Sequence, residues 1–323
     1  MRAVRYHGPG DVRLETVATP VPGAGEVLVE IKAAALCHTE LHFLDGTLNL
    51  GVAPITLGHE GAGVIVDGDQ RIGERVLLYY YSGCGGCEFC PSNEQLCGSL
   101  RSQLGFLSDG CLAKYVKVDA RCAIPIGNLS FPAAAPVGCG VTTAVHAAKR
   151  GRLRSGEKVL ILGCNGVGLH LVQLAKHLGC AVYATARKEI HLAKARSLGA
   201  ITNFENLKAD VIFECVGTRE TMASCVGFGG MLAKRGRLVL LGYAQNHDFV
   251  CHPIPLIVFE QSVVGSVGAT FDDAREAIDL VQKGVITTVL DSTIPLAQFS
   301  NLGIDKIRSS TCIGKIIVDN FDD

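Results

Sequence analysis

The sequence lacks an excess of charge of either sign: Lys and Arg number 30, Asp and Glu 31, and the net charge is −1. The basic residues are spread along the chain. The cationic face that a phosphate backbone requires is therefore missing, and nucleic acid is not an expected partner. Long apolar runs are missing too. The longest, around Val159 to Leu162, is the size of a strand and far short of a membrane span. The first residues, Met1-Arg2-Ala3-Val4-Arg5, carry no apolar core of the kind a secretory leader needs. Repeats and low-complexity segments are absent, and 48% apolar with 19% charged residues leaves little room for long disorder. What the chain has in quantity is cysteine, 14 in all. Without an export signal this points to a reducing compartment and, by default, the cytoplasm. A length of 323 residues suits two domains, each with its own core.

Four cysteines fall in one short stretch, Cys84-Gly85-Gly86-Cys87-Glu88-Phe89-Cys90 followed by Cys97. Two-residue gaps let a tight loop turn several thiolates onto one tetrahedral zinc ion, and Gly85-Gly86 removes side chains that would crowd the turn. Two disulfides, or cysteines that only fill space, are the alternatives, but clusters this dense rarely arise from packing. Four sulfurs leave no open position for a substrate, so a zinc ion here is structural.

The first 125 or so residues read as short β segments split by Gly, Pro and Asp, such as Glu26–Ile31, Gly61–Val66 and Arg75–Tyr79. They suggest an antiparallel, barrel-like region. From about Pro136 the rhythm changes. Strands at Lys158–Leu162, Ala181–Thr185, Asp210–Cys215 and Arg237–Gly242 alternate with helices at Val167–Leu178 and Ile190–Leu198. That alternation implies a doubly wound parallel sheet. A helix over Phe271–Lys283 and a strand over Gly314–Val318 return to the earlier character. The expected layout is α/β: a nucleotide domain (141–268) inserted between two pieces (1–140 and 269–323) of a mainly β catalytic domain.

Gly163-Cys164-Asn165-Gly166-Val167-Gly168 follows a predicted strand and opens a predicted helix. Small residues there make the tight turn, let the backbone approach a pyrophosphate and let the helix pack on the strand, while the helix N-terminus offers free N–H groups. Asn165 stands where a second glycine is expected; asparagine tolerates left-handed backbone better than most residues. A strand–helix connection without a ligand is the plainer alternative. At the end of the second strand, where a carboxylate would bind an NAD ribose, the chain reads Ala184-Thr185-Ala186-Arg187-Lys188. Two cations suit a 2′-phosphate, so NADP(H) is favoured over NAD(H), unless Arg187 and Lys188 are only solvated loop charges.

Three further pieces carry metal-ligand chemistry: Cys37-His38-Thr39-Glu40-Leu41-His42, Gly58-His59-Glu60-Gly61, and Gly138-Cys139-Gly140. Each alone is unremarkable. In this order, with the four-cysteine loop and the glycine-rich turn, the chain resembles the zinc-dependent alcohol dehydrogenases of the medium-chain dehydrogenase/reductase family over essentially its full length. The resemblance implies a Rossmann domain within a GroES-like catalytic domain and two zinc ions per chain. It implies that Cys37, His59 and Cys139 bind the catalytic zinc and leave one position open, while Cys84, Cys87, Cys90 and Cys97 bind the structural one. Thr39 and His42 stand at the family's proton relay, Glu60 at the acidic residue beside the metal, and Glu40 at a carboxylate that orients the ligand histidine. Family members commonly have Asp at the Glu40 position and seven residues, not six, between the last two loop cysteines. Cofactor contacts are implied for His38, Thr143, Gly163, Asn165, Gly166, Val167, Gly168, Arg187, Lys188 and Lys315.

The implied chemistry is hydride transfer between an alcohol, or its aldehyde or ketone, and the nicotinamide, with the proton leaving through Thr39 and His42. Tyr79, Tyr80, Tyr81, Phe43, Leu44 and Leu48 are candidate walls of an apolar substrate pocket. The other eight cysteines, at 111, 122, 164, 180, 215, 225, 251 and 312, read as small buried hydrophobes. A homodimer or tetramer is implied, with the 238–242 strand and the segment after it as a subunit edge. Two competing readings are a zinc-free quinone or enoyl reductase of the same fold and a nucleotide- and zinc-binding protein without turnover.

Overall fold

The computed structural model describes residues 1–48, 52–244 and 247–322. Two compact units form. One comprises Met1–Cys139, Ala269–Gln282 and Thr288–Asp323; the other comprises Gly140–Gly268 and Lys283–Thr287.

The spine of the first unit is the ten-residue strand Glu26–Ala35, which buries Val27, Val29, Ile31 and Ala33 through Ala35. It pairs antiparallel with Gly61–Asp67, Tyr115–Asp119 and Lys315–Asn320. The sheet continues to Arg75–Leu78 and Ala123–Pro125 on one side and to Leu290–Pro295 on the other. A three-stranded sheet of Asp11–Thr16, Arg2–Gly8 and Ile55–Thr56 accompanies it. One pairing in this sheet is parallel, between Leu290–Pro295 and Lys315–Asn320. The chain between them makes helical turns through Leu296–Gln298, Phe299–Ile304 and Asp305–Arg308, a crossover long enough to return to the same end of the sheet.

The second unit is built on a five-stranded parallel sheet in the order Ala181–Thr185, Lys158–Leu162, Ala209–Glu214, Leu232–Leu240, Ser262–Gly265. An isolated parallel bridge from Ile201 to Tyr183 adds the rudiment of a sixth strand on the outer flank. Helices Gly166–His177, Glu189–Ser197 and Arg219–Cys225 alternate with the strands, giving the doubly wound Rossmann arrangement. The Lys158–Leu162 strand lies in the interior of the sheet and is apolar on both faces. Val159, Leu160 and Ile161 are fully buried, each worth about 1.5–3 kcal/mol of hydrophobic stabilisation. Strand order reverses between Lys158–Leu162 and Ala209–Glu214, so a crevice opens beyond their carboxyl ends.

The 238–242 segment is not a sheet edge. Ser262–Gly265 pairs outside it, a four-residue strand whose half-exposed Ser-Val-Val-Gly sequence carries no alternating or buried run. Of the segment that follows, residues 245 and 246 lie outside the described residues. Among the described residues no helix is long and apolar enough to cross a membrane.

Candidate metal centre and nucleotide turn

Cys37 leaves the central strand of the first unit and caps the N-terminus of the helix His38–Leu44. Glu40, three residues on and fully buried, accepts the Cys37 backbone N–H through Oε2 at 2.7 Å, as a capping glutamate does. Its other oxygen, Oε1, lies 3.3 Å from His59 Nδ1. One carboxylate thus bonds the backbone of the first cysteine and lies within ion-pair distance of the histidine ring. The extra methylene of glutamate does not prevent that reach.

His59 sits between two glycines for a steric reason. Gly58 has φ +98°, and a Cβ there would lie 2.8 Å from the Leu112 backbone; a Cβ on Gly61 would lie 2.7 Å from Cys111 Cβ. Tight packing on the 111–112 segment aims the imidazole inward, where Tyr80 and Phe106 hold it edge-on with centroids at 5.2 and 5.3 Å. Cys139 arrives from the turn Ala135–Gly138, which packs on the same sheet. The result is a cluster in which donor atoms of Cys37, His59, Glu60 and Cys139 all lie within 4.8 Å of one another.

The electrostatics fit a cation. Glu60 and Lys315 form a buried ion pair that occupies one carboxylate oxygen, leaving Glu60 Oε2 buried without a hydrogen bond. The Cys139 hydrogen bond holds the Cys37 thiol well below its usual range despite burial, with help from the Lys315 charge; the same contact and burial push Cys139 up. Burial disfavours the protonated His59 ring, but Glu40 and Cys37 outweigh it and raise the imidazole to about 10. Burial outweighs Lys315 at Glu60 and raises that carboxyl to about 8. Two sulfurs and one imidazole beside a partly neutralised carboxylate match the donors zinc prefers.

Thr39 Oγ1 lies 3.6 Å from Cys37 Sγ. His42 follows one turn along the same helix, 6.1 Å ring to ring from the exposed His38. Burial lowers the His42 imidazole below its usual value.

The second cluster is equally compact: Cys84, Cys87, Cys90 and Cys97 bring their sulfurs within 4.8 Å of one another. The six-residue spacing closes because the 3-10 turn Glu94–Leu96 delivers Cys97, whose N–H donates to the Glu94 carbonyl at 2.9 Å. Backbone N–H groups of Gly85, Gly86 and Ser99 donate to the sulfurs at 3.2–3.5 Å. The Gly86 N–H in particular helps lower Cys84 to about 6.

Gly163 has φ +95°, and Gly168 approaches so closely that a Cβ would fall 2.0 Å from the Gly163 carbonyl oxygen. Both glycines are therefore required by the turn. Asn165 caps the helix Gly166–His177 with φ −139°, so its backbone is extended and needs no left-handed tolerance. Arg187 is exposed just past the strand Ala181–Thr185, and Lys188 caps the helix Glu189–Ser197. Thr143 is half-buried on the helix Gly140–Arg150.

Lys315, expected beside the pyrophosphate, is 3% exposed in the first unit and donates to Glu60. Two expectations about the pocket walls change. Phe43, taken as a pocket wall, is 1% exposed and packs against Tyr6 and Phe106. Tyr79 is core as well, with its hydroxyl donating to the Ala269 carbonyl. Phe106, in contrast, touches His59 and carries no motif that a sequence reading could have used.

Residues 23–128 match the alcohol dehydrogenase GroES-like domain family, and residues 166–283 match the zinc-binding dehydrogenase family. The chain is 30% identical to an alcohol dehydrogenase of Geobacillus stearothermophilus over 95% of its length and 96% of that protein. Among solved structures it is similar to the alcohol dehydrogenase of the archaeon Aeropyrum pernix (TM-score 0.91, 26% identity, 99% and 100% of the two chains). It is also similar to a cobalt- and zinc-bound thermostable alcohol dehydrogenase from Pyrobaculum aerophilum (TM-score 0.89, 28% identity, 99% of each chain). Fold, donor clusters and relatives agree: this chain belongs to the zinc-dependent alcohol dehydrogenases of the medium-chain dehydrogenase/reductase family.

Proposed function

We propose that the protein interconverts alcohols with aldehydes or ketones, with zinc held by Cys37, His59 and Cys139 and NADP(H) as the hydride carrier. The observation that carries this reading is the convergence of those three side chains within 4.8 Å, with Glu40 bracing the histidine. A zinc ion on two sulfurs and one nitrogen supplies a Lewis acid with one position left for a substrate oxygen. Thr39 Oγ1 receives the proton of the substrate hydroxyl, and His42, kept neutral by its burial, passes it to solvent. Lys315, tied to Glu60, offsets the negative charge of the thiolates. The four-cysteine loop holds a second, structural zinc ion.

The Gly163–Gly168 turn would hold the dinucleotide, and the N-terminus of the helix Gly166–His177 would offer its N–H groups to the pyrophosphate. Arg187 supports the NADP(H) choice. It is exposed, no carboxylate ends the preceding strand, and the next acidic residue along the chain, Glu189, is engaged by Arg196. Among the described residues Arg187 itself makes no hydrogen bond or ion pair.

The protein assembles as a homo-oligomer in the cytoplasm. Exposed Phe228, Ile254, Ile257 and Val258 flank the edge strand Ser262–Gly265, an apolar surface suited to a second copy.

Growth of reduced-nicotinamide absorbance with a panel of primary, secondary and aromatic alcohols, run with NADP+ and NAD+ at equal concentration, tests the reading. Turnover with an NADP+ preference that Arg187→Ala erodes about tenfold or more is expected. A wild-type preference for NAD+ overturns the Arg187 assignment, and no alcohol-dependent signal with either cofactor overturns the function.

A further inference from the structure

Glu214 ends the strand Ala209–Glu214, in register with Leu162, the last residue before the glycine-rich turn. Its carboxylate is fully buried, yet among the described residues no Lys or Arg pairs with it. It is held instead by donors from the loop that follows. Oε1 accepts the Val216 N–H at 3.0 Å and the Thr221 hydroxyl at 2.8 Å, and the Gly217 N–H is shared between the two oxygens at 3.0 and 2.9 Å. The Glu214 carbonyl meanwhile accepts the N–H groups of Leu241 and Gly242, both at 2.9 Å, at the end of the neighbouring strand.

One residue thus ties two loops that border the nucleotide crevice. The tie extends to the turn itself. A Cβ on Gly163 would lie 2.8 Å from Val216 Cγ2, so the loop that Glu214 holds rests directly on the first glycine. Gly217, at φ +82°, meets the second loop backbone to backbone, where a Cβ would fall 2.1 Å from Tyr243 N. Nothing soft separates the carboxylate from the pyrophosphate-binding turn.

We propose that Glu214 is a positioning residue for the dinucleotide: its anion gathers the 216–217 loop and sets the shape of the crevice against Gly163. This inference rests on the nucleotide reading given above. The carboxylate touches neither the cofactor nor the reacting atoms. It acts through Val216 and Gly217. In Glu214→Gln, an amide NH2 replaces one acceptor and faces the Gly217 N–H, so the loop loses a charge-assisted bond and shifts off the turn.

Calorimetric titration of the zinc-loaded protein with NADP+ and NAD+ tests this by separating dissociation constant from sites per chain. Glu214→Gln is expected to weaken nucleotide binding about tenfold at full site occupancy and unchanged zinc content. Thr221→Val, which removes one donor and leaves the backbone contacts, is expected to weaken it a few-fold. The exposed Glu220→Gln on the same helix should match the wild type. A purely structural role predicts fewer sites at an unchanged dissociation constant, and that outcome overturns the proposal. So does wild-type affinity in Thr221→Val, which decides the matter if Glu214→Gln does not fold. A wild type that binds neither nucleotide defeats the underlying reading instead.

Discussion

Glu40 is one methylene longer than the aspartate common at its position in the family, and it makes two contacts at once. Its carboxylate spans from the Cys37 N–H to His59 Nδ1 because it starts from the first turn of a helix that Cys37 caps. The consequence is a proton held tightly on His59, which the carboxylate pushes up to about 10 against its burial. That proton must leave before a metal binds, as must the one on the raised Cys139 thiol, so zinc affinity should fall as pH drops below about 10. Glu40→Gln removes the charge that holds the proton. Competition with a zinc chelator from pH 6 to pH 10 should show a shallower pH dependence for the variant and about 10–100-fold weaker binding at the alkaline end. Identical curves for both proteins would show that Glu40 does not set the histidine. The candidate ligand side chains were legible through the family resemblance that the order of their motifs carries, and through no single motif alone. Lys315 was not. Its partner, Glu60, is 255 positions away, and no local pattern records such a pairing. Phe106 was hidden for the same reason.

The four-cysteine loop shows how a short element compensates for a missing residue. The 3-10 turn Glu94–Leu96 tightens the path to Cys97, and Glu94 secures both ends of the loop. Its carbonyl accepts the Cys97 N–H, and its buried carboxylate accepts the Gly83 N–H at 3.0 Å and Arg121 at 2.6 Å. Arg121 is anchored in turn by Asp119. Glu94→Gln should cost the lobe about 1–3 kcal/mol and speed chelator extraction of the structural zinc, while the zinc at Cys37, His59 and Cys139 is released as in the wild type. Loss of the loop zinc at the wild-type rate in Glu94→Gln would refute this role of Glu94. Regular elements were readable where one force dominated. The apolar Lys158–Leu162 and Ala181–Thr185 strands fall where their runs place them. Ser262–Gly265 escaped because its pairing comes from the neighbouring strand and not from its own composition, and the parallel pairing of Leu290–Pro295 depends on a crossover that periodicity does not reveal.

Across the whole chain the division of labour follows the two units. Both donor clusters, Glu40, Glu60 and Lys315 belong to the first; the glycine-rich turn, Glu214 and Arg187 belong to the second. The strand–helix alternation starts and stops within the sequence, whereas the return of Lys283–Thr287 to the second unit leaves no mark in it. The exposed apolar face beside Ser262–Gly265 was not legible either, since Phe228 and the Pro253–Val258 helix are brought together only by folding. The account as a whole requires an open three-donor metal site separate from the four-cysteine site. Metal analysis of the wild type and of Cys139→Ser, paired with the alcohol-dependent nicotinamide assay, tests that most directly. About two zinc ions per chain are expected in the wild type and about one in the variant, with turnover abolished. Two zinc ions retained in Cys139→Ser, or undiminished turnover without the second, would contradict it.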